Sequence, residues 1–122
     1  MPGVTFIDHE GRQILLMDFS GIKDAQRFPA LVDEAIRLVH ETKVRRSVLA
    51  LLDLTGTPVN RPVMASLKRM SQNNGPYIKA VTFVGLGTFW SAIVSAFFRW
   101  TKRRNHKVMH DRSRALEWLV RQ

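Results

Sequence analysis

Apolar residues recur along this chain with two alternating periods, and the alternation predicts its elements. Thr5–Asp8 predicts a short strand, Glu10-Gly11 a turn, and Arg12–Asp18 a second strand with the apolar run Ile14-Leu15-Leu16-Met17. The two pair as an antiparallel hairpin, and Ser20-Gly21 breaks the second strand. From about Asp24 to Thr42 the period lengthens. Phe28, Leu31, Val32, Ala35, Leu38 and Val39 fall on one helical stripe. Pro29 is compatible only with the first turn, which places the helix start at Asp24–Gln26. Val48–Leu54 is wholly apolar, as expected of a central strand covered on both faces.

The remaining half repeats this alternation. Thr55-Gly56-Thr57-Pro58 leaves the central strand, and Asn60 caps a helix with Val63, Met64, Leu67 and Met70 on its stripe. Asn73-Asn74-Gly75-Pro76 stops that helix. Tyr77–Val84 predicts the next strand, Thr88–Thr101 a third helix and Lys107–His110 a short last strand. Asp111 then caps a final helix carrying Ala115, Leu116, Trp118 and Leu119. The order β-β-α-β-α-β-α-β-α implies an α/β fold. We expect one mixed, mostly parallel sheet of about five strands with four helices, and the first strand as its antiparallel edge.

A length of 122 residues suggests a single domain, residues 1–122, able to bury a core without staples. No cysteine is present, which excludes disulfides, thiolate metal sites and cysteine catalysis, and fits a reducing, cytoplasmic compartment. Met-Pro-Gly-Val followed by charge does not read as a signal peptide. From Ala80 to Phe98 no residue is charged, and about 18 such residues can suggest a membrane span. Gly85 and Gly87 interrupt the run, and Val81-Thr82-Phe83-Val84 favours a strand, so a buried strand followed by an apolar helix is the better reading. The net charge of +9 favours acidic partners: nucleic acid, an anionic membrane or an acidic protein.

Four segments carry a family resemblance: Ile14–Gly21 (ILLMDFSG), Ser47–Gly56 (SVLALLDLTG), Pro76–Gly85 (PYIKAVTFVG) and Asp111–Leu119 (DRSRALEWL). Together they resemble the SpoIIAA-like family, of the STAS fold and distantly akin to CRAL-TRIO lipid-binding domains. The resemblance covers nearly the whole chain, mostly through strand-core residues, and implies a non-enzymatic binding or regulatory module. In signalling STAS proteins an Asp-Ser-Ser step at the start of the second helix carries a regulatory phosphoserine. Here Val59-Asn60-Arg61-Pro62 stands at that place, without serine or threonine. Thr55 and Thr57, just upstream, are the nearest candidate phosphosites. Their alternative role is to satisfy backbone groups of the turn.

Other chemistry finds little support in the sequence. Ser20, in Asp-Phe-Ser-Gly, lacks the glycine a nucleophile elbow requires. Gly85-Leu86-Gly87-Thr88 opens a helix and offers backbone N–H groups to an anion, but has no P-loop lysine, and a sharp strand exit is its expected role. Asp8, His9 and Glu10 are adjacent and point to opposite faces. His106 and His110 share a strand face about 13 Å apart, too far for one ion. No metal or cofactor is therefore expected. Asp18 and Asp53 end two strands that could be neighbours, where capping or solvent exposure is expected over acid–base chemistry.

The third helix carries the functional expectation. Phe89, Trp90, Ile93, Val94, Ala96, Phe97, Phe98 and Trp100 cover about half its circumference, whereas packing on a sheet needs a stripe of about 100°. The excess implies a second apolar contact. Three possibilities arise: deeper burial by neighbouring elements or a homodimer, a membrane surface or apolar ligand, and a protein partner. For the ligand we expect a groove between helix and sheet lined by Phe89, Trp90, Ile93, Phe97 and Trp100. Arg99, Lys102, Arg103, Arg104 and Lys107 follow as candidate contacts to an anionic partner, a combination suited to interfacial binding at the cytoplasmic face of a membrane. Nucleic acid is less expected, because no DNA- or RNA-binding motif accompanies the cations.

Overall fold

The computed structural model describes residues 3–24, 26–100 and 105–122, with Phe97 and Trp100 described for their backbone only. Five strands, β1 (Gly3–His9), β2 (Arg12–Asp18), β3 (Val48–Asp53), β4 (Ile78–Val84) and β5 (His106–Met109), form one sheet in chain order. Between and after them lie α1 (Arg27–Thr42), α2 (Arg61–Asn74), α3 (Gly87–Trp100) and α4 (Arg112–Val120). β1 pairs antiparallel with β2, and every other pair is parallel. The α/β class, the single mixed sheet and the antiparallel edge are those expected from the periodicity.

Local chemistry sets the boundaries. Glu10 and Gly11 both have positive φ, 48° and 79°, the two-residue geometry that matches the twist of a hairpin. The Asn60 side chain accepts from the Val63 amide and caps α2, and Asp111 does the same for α4 through the Arg114 amide. α1 begins at Arg27, just after the expected start, because the Asp24 side chain binds the Gln26 amide and its carbonyl binds the Arg27 amide in a preceding turn. Gly75–Tyr77 is a short 3-10 turn, so β4 begins at Ile78.

Topology decides the layers. When strand order follows chain order, right-handed crossovers return every connecting helix on the same side. The core on that side accordingly contains buried residues of α1, α2 and α3, with Leu15, Met17, Ala50, Leu52 and Phe83 from the sheet. Among the described residues the opposite core is formed by α4, through Ala115 and Leu119 against Ile14, Leu49, Leu51, Ala80 and Val84. β3 alternates between the two cores and is buried at all six positions. Among the described residues, no helix is long and apolar enough to cross a membrane.

Candidate functional site

Three helices do not cover their face of the sheet evenly. α1 and α2 pack together, joined also by an Arg69–Asp33 ion pair at 2.7 Å. α3 lies over the far edge, where the Phe98 ring stacks on His106 at 4.5 Å and tilts against Phe83 at 5.6 Å. Between α2 and α3 a cleft of about 1040 Å³ is left open. Its floor is Met17, Ala50, Leu52, Val81 and Phe83 of the strands. Met64, Leu67 and Met70 of α2 form one wall, and Trp90, Ile93, Val94 and Phe98 of α3 the other. Apolar clefts of a few hundred to about 1,000 Å³ are the usual form of a ligand site.

Of the five residues expected to line a groove, Trp90 and Ile93 line this cleft, and α3 is turned from the orientation the sequence suggested. Val94 and Phe98 are buried and Trp90 is half-buried against the core. Phe89 is 67% exposed, does not line the cleft, and leans edge-on against Trp90 at 5.1 Å. At 100° per residue, Trp90, Val94 and Phe98 form the inward stripe and Phe89, Ile93 and Ala96 the outward one. Ile93 sits at the boundary, lining the cleft while 38% exposed. The side chains of Phe97 and Trp100 lie outside the described residues. The apolar perimeter of α3 therefore exceeds what the sheet hides, with Phe89 and Ile93 as the visible excess.

Of the basic cluster beyond α3, Arg99 and Lys107 are among the described residues. Arg99 is exposed at the end of the helix, and Lys102, Arg103 and Arg104 lie outside the described residues. Lys107 is exposed on β5, where His106 and Val108 face the α3 side and Met109 the α4 side. Strand alternation places Lys107 with Met109, on the opposite face from α3. Arg45 and Arg46, before β3, together with Lys68 on α2 and Lys79 on β4, are the cations that line the cleft. Sequence reasoning missed them. A detectable signal existed at Lys79, a lone cation in an apolar strand, where the β3–β4 register shifts between Val48 and Leu49.

The opposite end of the sheet is crossed by a network of hydrogen bonds and ion pairs. Asp18 and Asp53 end adjacent strands and face each other in register. Asp18 accepts from the Ser20 amide and hydroxyl, and Asp53 from the Thr55 amide at 2.9 Å and hydroxyl at 2.6 Å. Arg112 of α4 reaches across to both, at 2.7 Å from Asp53 and 3.5 Å from Asp18. Burial pushes the Asp53 carboxyl up, but the Thr55 hydrogen bonds and the Arg112 guanidinium outweigh it and hold the group below the ordinary aspartate range. Burial likewise lowers Arg112, and its hydrogen bonds and attraction to Asp53, then Asp18, raise it on balance. Of the two roles expected of these aspartates, capping or solvent exposure, both cap the turns that leave their strands, with the guanidinium added.

The two candidate phosphosites have different surroundings. Thr57 is buried, donating to the Phe19 carbonyl and accepting from the Ile22 amide, so its hydroxyl satisfies backbone groups of the turn. Thr55 is exposed, with its hydroxyl held by Asp53. Gly85, at φ +83°, packs so closely on the Thr55 backbone that a β-carbon would lie 2.7 Å from the Thr55 Cα. That close approach accounts for the glycine at this strand exit. Among the described residues no group of three or more histidines and carboxylates is placed to hold a metal ion.

No protein-family model, curated protein or solved structure matches this chain.

Proposed function

We propose that this protein is a non-enzymatic, STAS-like binding or regulatory module that takes an apolar, lipid-like ligand, or docks on a membrane surface, through α3 and the cleft beside it. The observation that carries this reading is the open apolar cleft along a helix whose outer stripe, Phe89 and Ile93, faces solvent. Burying an aromatic ring removes about 150–250 Å² from water, worth about 25 cal/mol per Å². An apolar occupant inside the cleft and an acyl layer outside it would both collect that gain. The SpoIIAA-like resemblance supports the absence of catalysis, and the net charge of +9 supports an anionic surface as the docking partner.

Mass spectrometry of organic extracts from the purified native protein tests the ligand. A stoichiometric fatty acid or phospholipid is the expected result. Sedimentation with anionic and neutral vesicles at low salt tests the surface, and absence of both a ligand and vesicle binding would refute the reading.

A second reading rests on the same outward stripe. Phe89 and Ile93, one helical turn apart, offer a self-complementary apolar patch for a homodimer or another protein. Sedimentation equilibrium distinguishes it: a tight dimer lost on Phe89→Ser, with no vesicle binding, favours the protein interface. Nucleic acid remains the least supported partner, and an electrophoretic shift at low ionic strength tests it.

A further inference from the structure

The cleft has chemically different ends. Where β3, β4 and β5 begin, its lining includes Arg45, Arg46, Lys79 and Asn74, and Lys68 stands on the α2 wall. Toward the far ends of the strands the lining is apolar, with Phe83 and Trp90. No aspartate or glutamate contributes to it. The ion pairs among the described residues join other groups and leave these four cations out.

Asn74 supplies an independent observation. It is the last residue of α2, is only 4% exposed, and lines the cleft. Its Oδ1 is buried without a hydrogen-bond partner. Buried polar atoms are nearly always paired in folded proteins, so an orphan beside a cleft marks a place where a partner belongs. Turning the amide over presents its N–H donors at the same point, which lets this position meet an acidic oxygen in either protonation state.

We propose that the cleft binds a single-chain amphiphile with an anionic head, the head lying at the N-terminal edge of the sheet against Arg45, Arg46, Lys79 and Asn74. The chain runs over Phe83 toward Trp90. This rests on the cleft being an apolar-ligand site, and it adds the class of ligand and its direction. Open α/β sheets usually bind ligands at the carboxyl ends of their strands. Here that edge presents two carboxylates, Asp18 and Asp53, to the one guanidinium of Arg112, whereas the cleft carries four cations and no acid, so charge directs an anion to the opposite end.

The test is displacement of Nile red, a neutral dye, from the full chain by palmitate, 1-palmitoyl lysophosphatidate and hexadecanol, each below its micellar concentration. At least one of the anions should displace the dye at about tenfold lower concentration than the alcohol, the scale of one charge-assisted hydrogen bond. The stronger anion identifies a carboxylate or a phosphate head. In Arg45→Ala/Lys79→Ala the preference should fall to near unity while Nile red still binds. Asn74→Leu should lower the preference without loss of thermal stability, which separates a head-group contact from a structural one. Equal displacement by anions and alcohol, or a preference that survives in the double variant, overturns the head-group assignment but not the apolar site. Failure of Nile red and of all three amphiphiles to bind overturns both.

Discussion

Arg112 and Asp53 lie 59 residues apart in the chain and meet through two hydrogen bonds, Nε at 3.2 Å and Nη2 at 2.7 Å from the same carboxylate oxygen. The other Asp53 oxygen is held by the amide and hydroxyl of Thr55. This one carboxylate therefore sets the β3 exit loop and fixes the start of α4 to the sheet. The other end of α4 is held by Arg12, whose guanidinium donates to the Val120 carbonyl at 3.1 Å. Two cations thus fasten α4 to opposite ends of the neighbouring strands β2 and β3.

Replacing Arg112 by methionine should destabilise the fold by about 1–2 kcal/mol, a charge-assisted pair discounted because the Arg112 side chain is 39% exposed and solvent screens it. Urea unfolding followed by circular dichroism measures it. A change within error would mean that α4 is held by Ala115 and Leu119 alone.

The same pair sets an acid dependence. The folded Asp53 carboxyl titrates below its ordinary value of 3.8, so its contribution is complete above that value and is lost as pH falls through the folded value. Arg112→Met should shift acid unfolding to higher pH, because the folded carboxyl loses part of what holds it down. Parallel pH titrations of the two proteins by tryptophan fluorescence test this, and coincident curves would contradict it.

Gly85→Ala should be among the most damaging single substitutions in the chain. It combines a positive φ of 83° with a β-carbon pressed against the Thr55 backbone. A loss of about 3 kcal/mol or more, or failure to fold, is expected. Gly11→Ala, also at positive φ but with no atom within 4 Å of the added carbon, should cost only about 1 kcal/mol. Thermal melts of both variants separate backbone strain from collision.

Thr57→Val should cost about 2 kcal/mol, since it strips the hydroxyl from two buried backbone groups, the Phe19 carbonyl and the Ile22 amide. Thr57→Ser, which keeps the hydroxyl, should recover most of the loss. Equal melting temperatures for wild type and the valine variant would show that the two strand exits are held otherwise.

Phe89→Ser/Ile93→Ser removes the solvent-facing apolar stripe of α3. Stability should change by less than about 0.5 kcal/mol, because neither side chain is buried in the core. Vesicle sedimentation should fall several-fold if the stripe enters a membrane. Unaltered sedimentation would assign membrane contact to another surface.

Much of this molecule is legible one segment at a time. Strand and helix periods and the Asn60 and Asp111 caps depend on interactions within a few residues, which the local sequence specifies, and the unbroken apolar run of β3 marks a strand to be covered on both faces. The helical spacing of residues 88–101 likewise reveals more apolar perimeter than one sheet can cover. Which arc of α3 faces inward is not a local property. It follows from the seating of Phe98 between Phe83 and His106, and it makes Trp90, rather than Phe89, the cleft wall. The gathering of Arg45, Arg46, Lys68, Lys79 and the orphaned Asn74 around one opening, and of Asp18, Asp53 and Arg112 at the other edge, also needs the assembled sheet. Those groups come from segments far apart in the chain, and only strand order, register and crossover hand bring them within reach of one another.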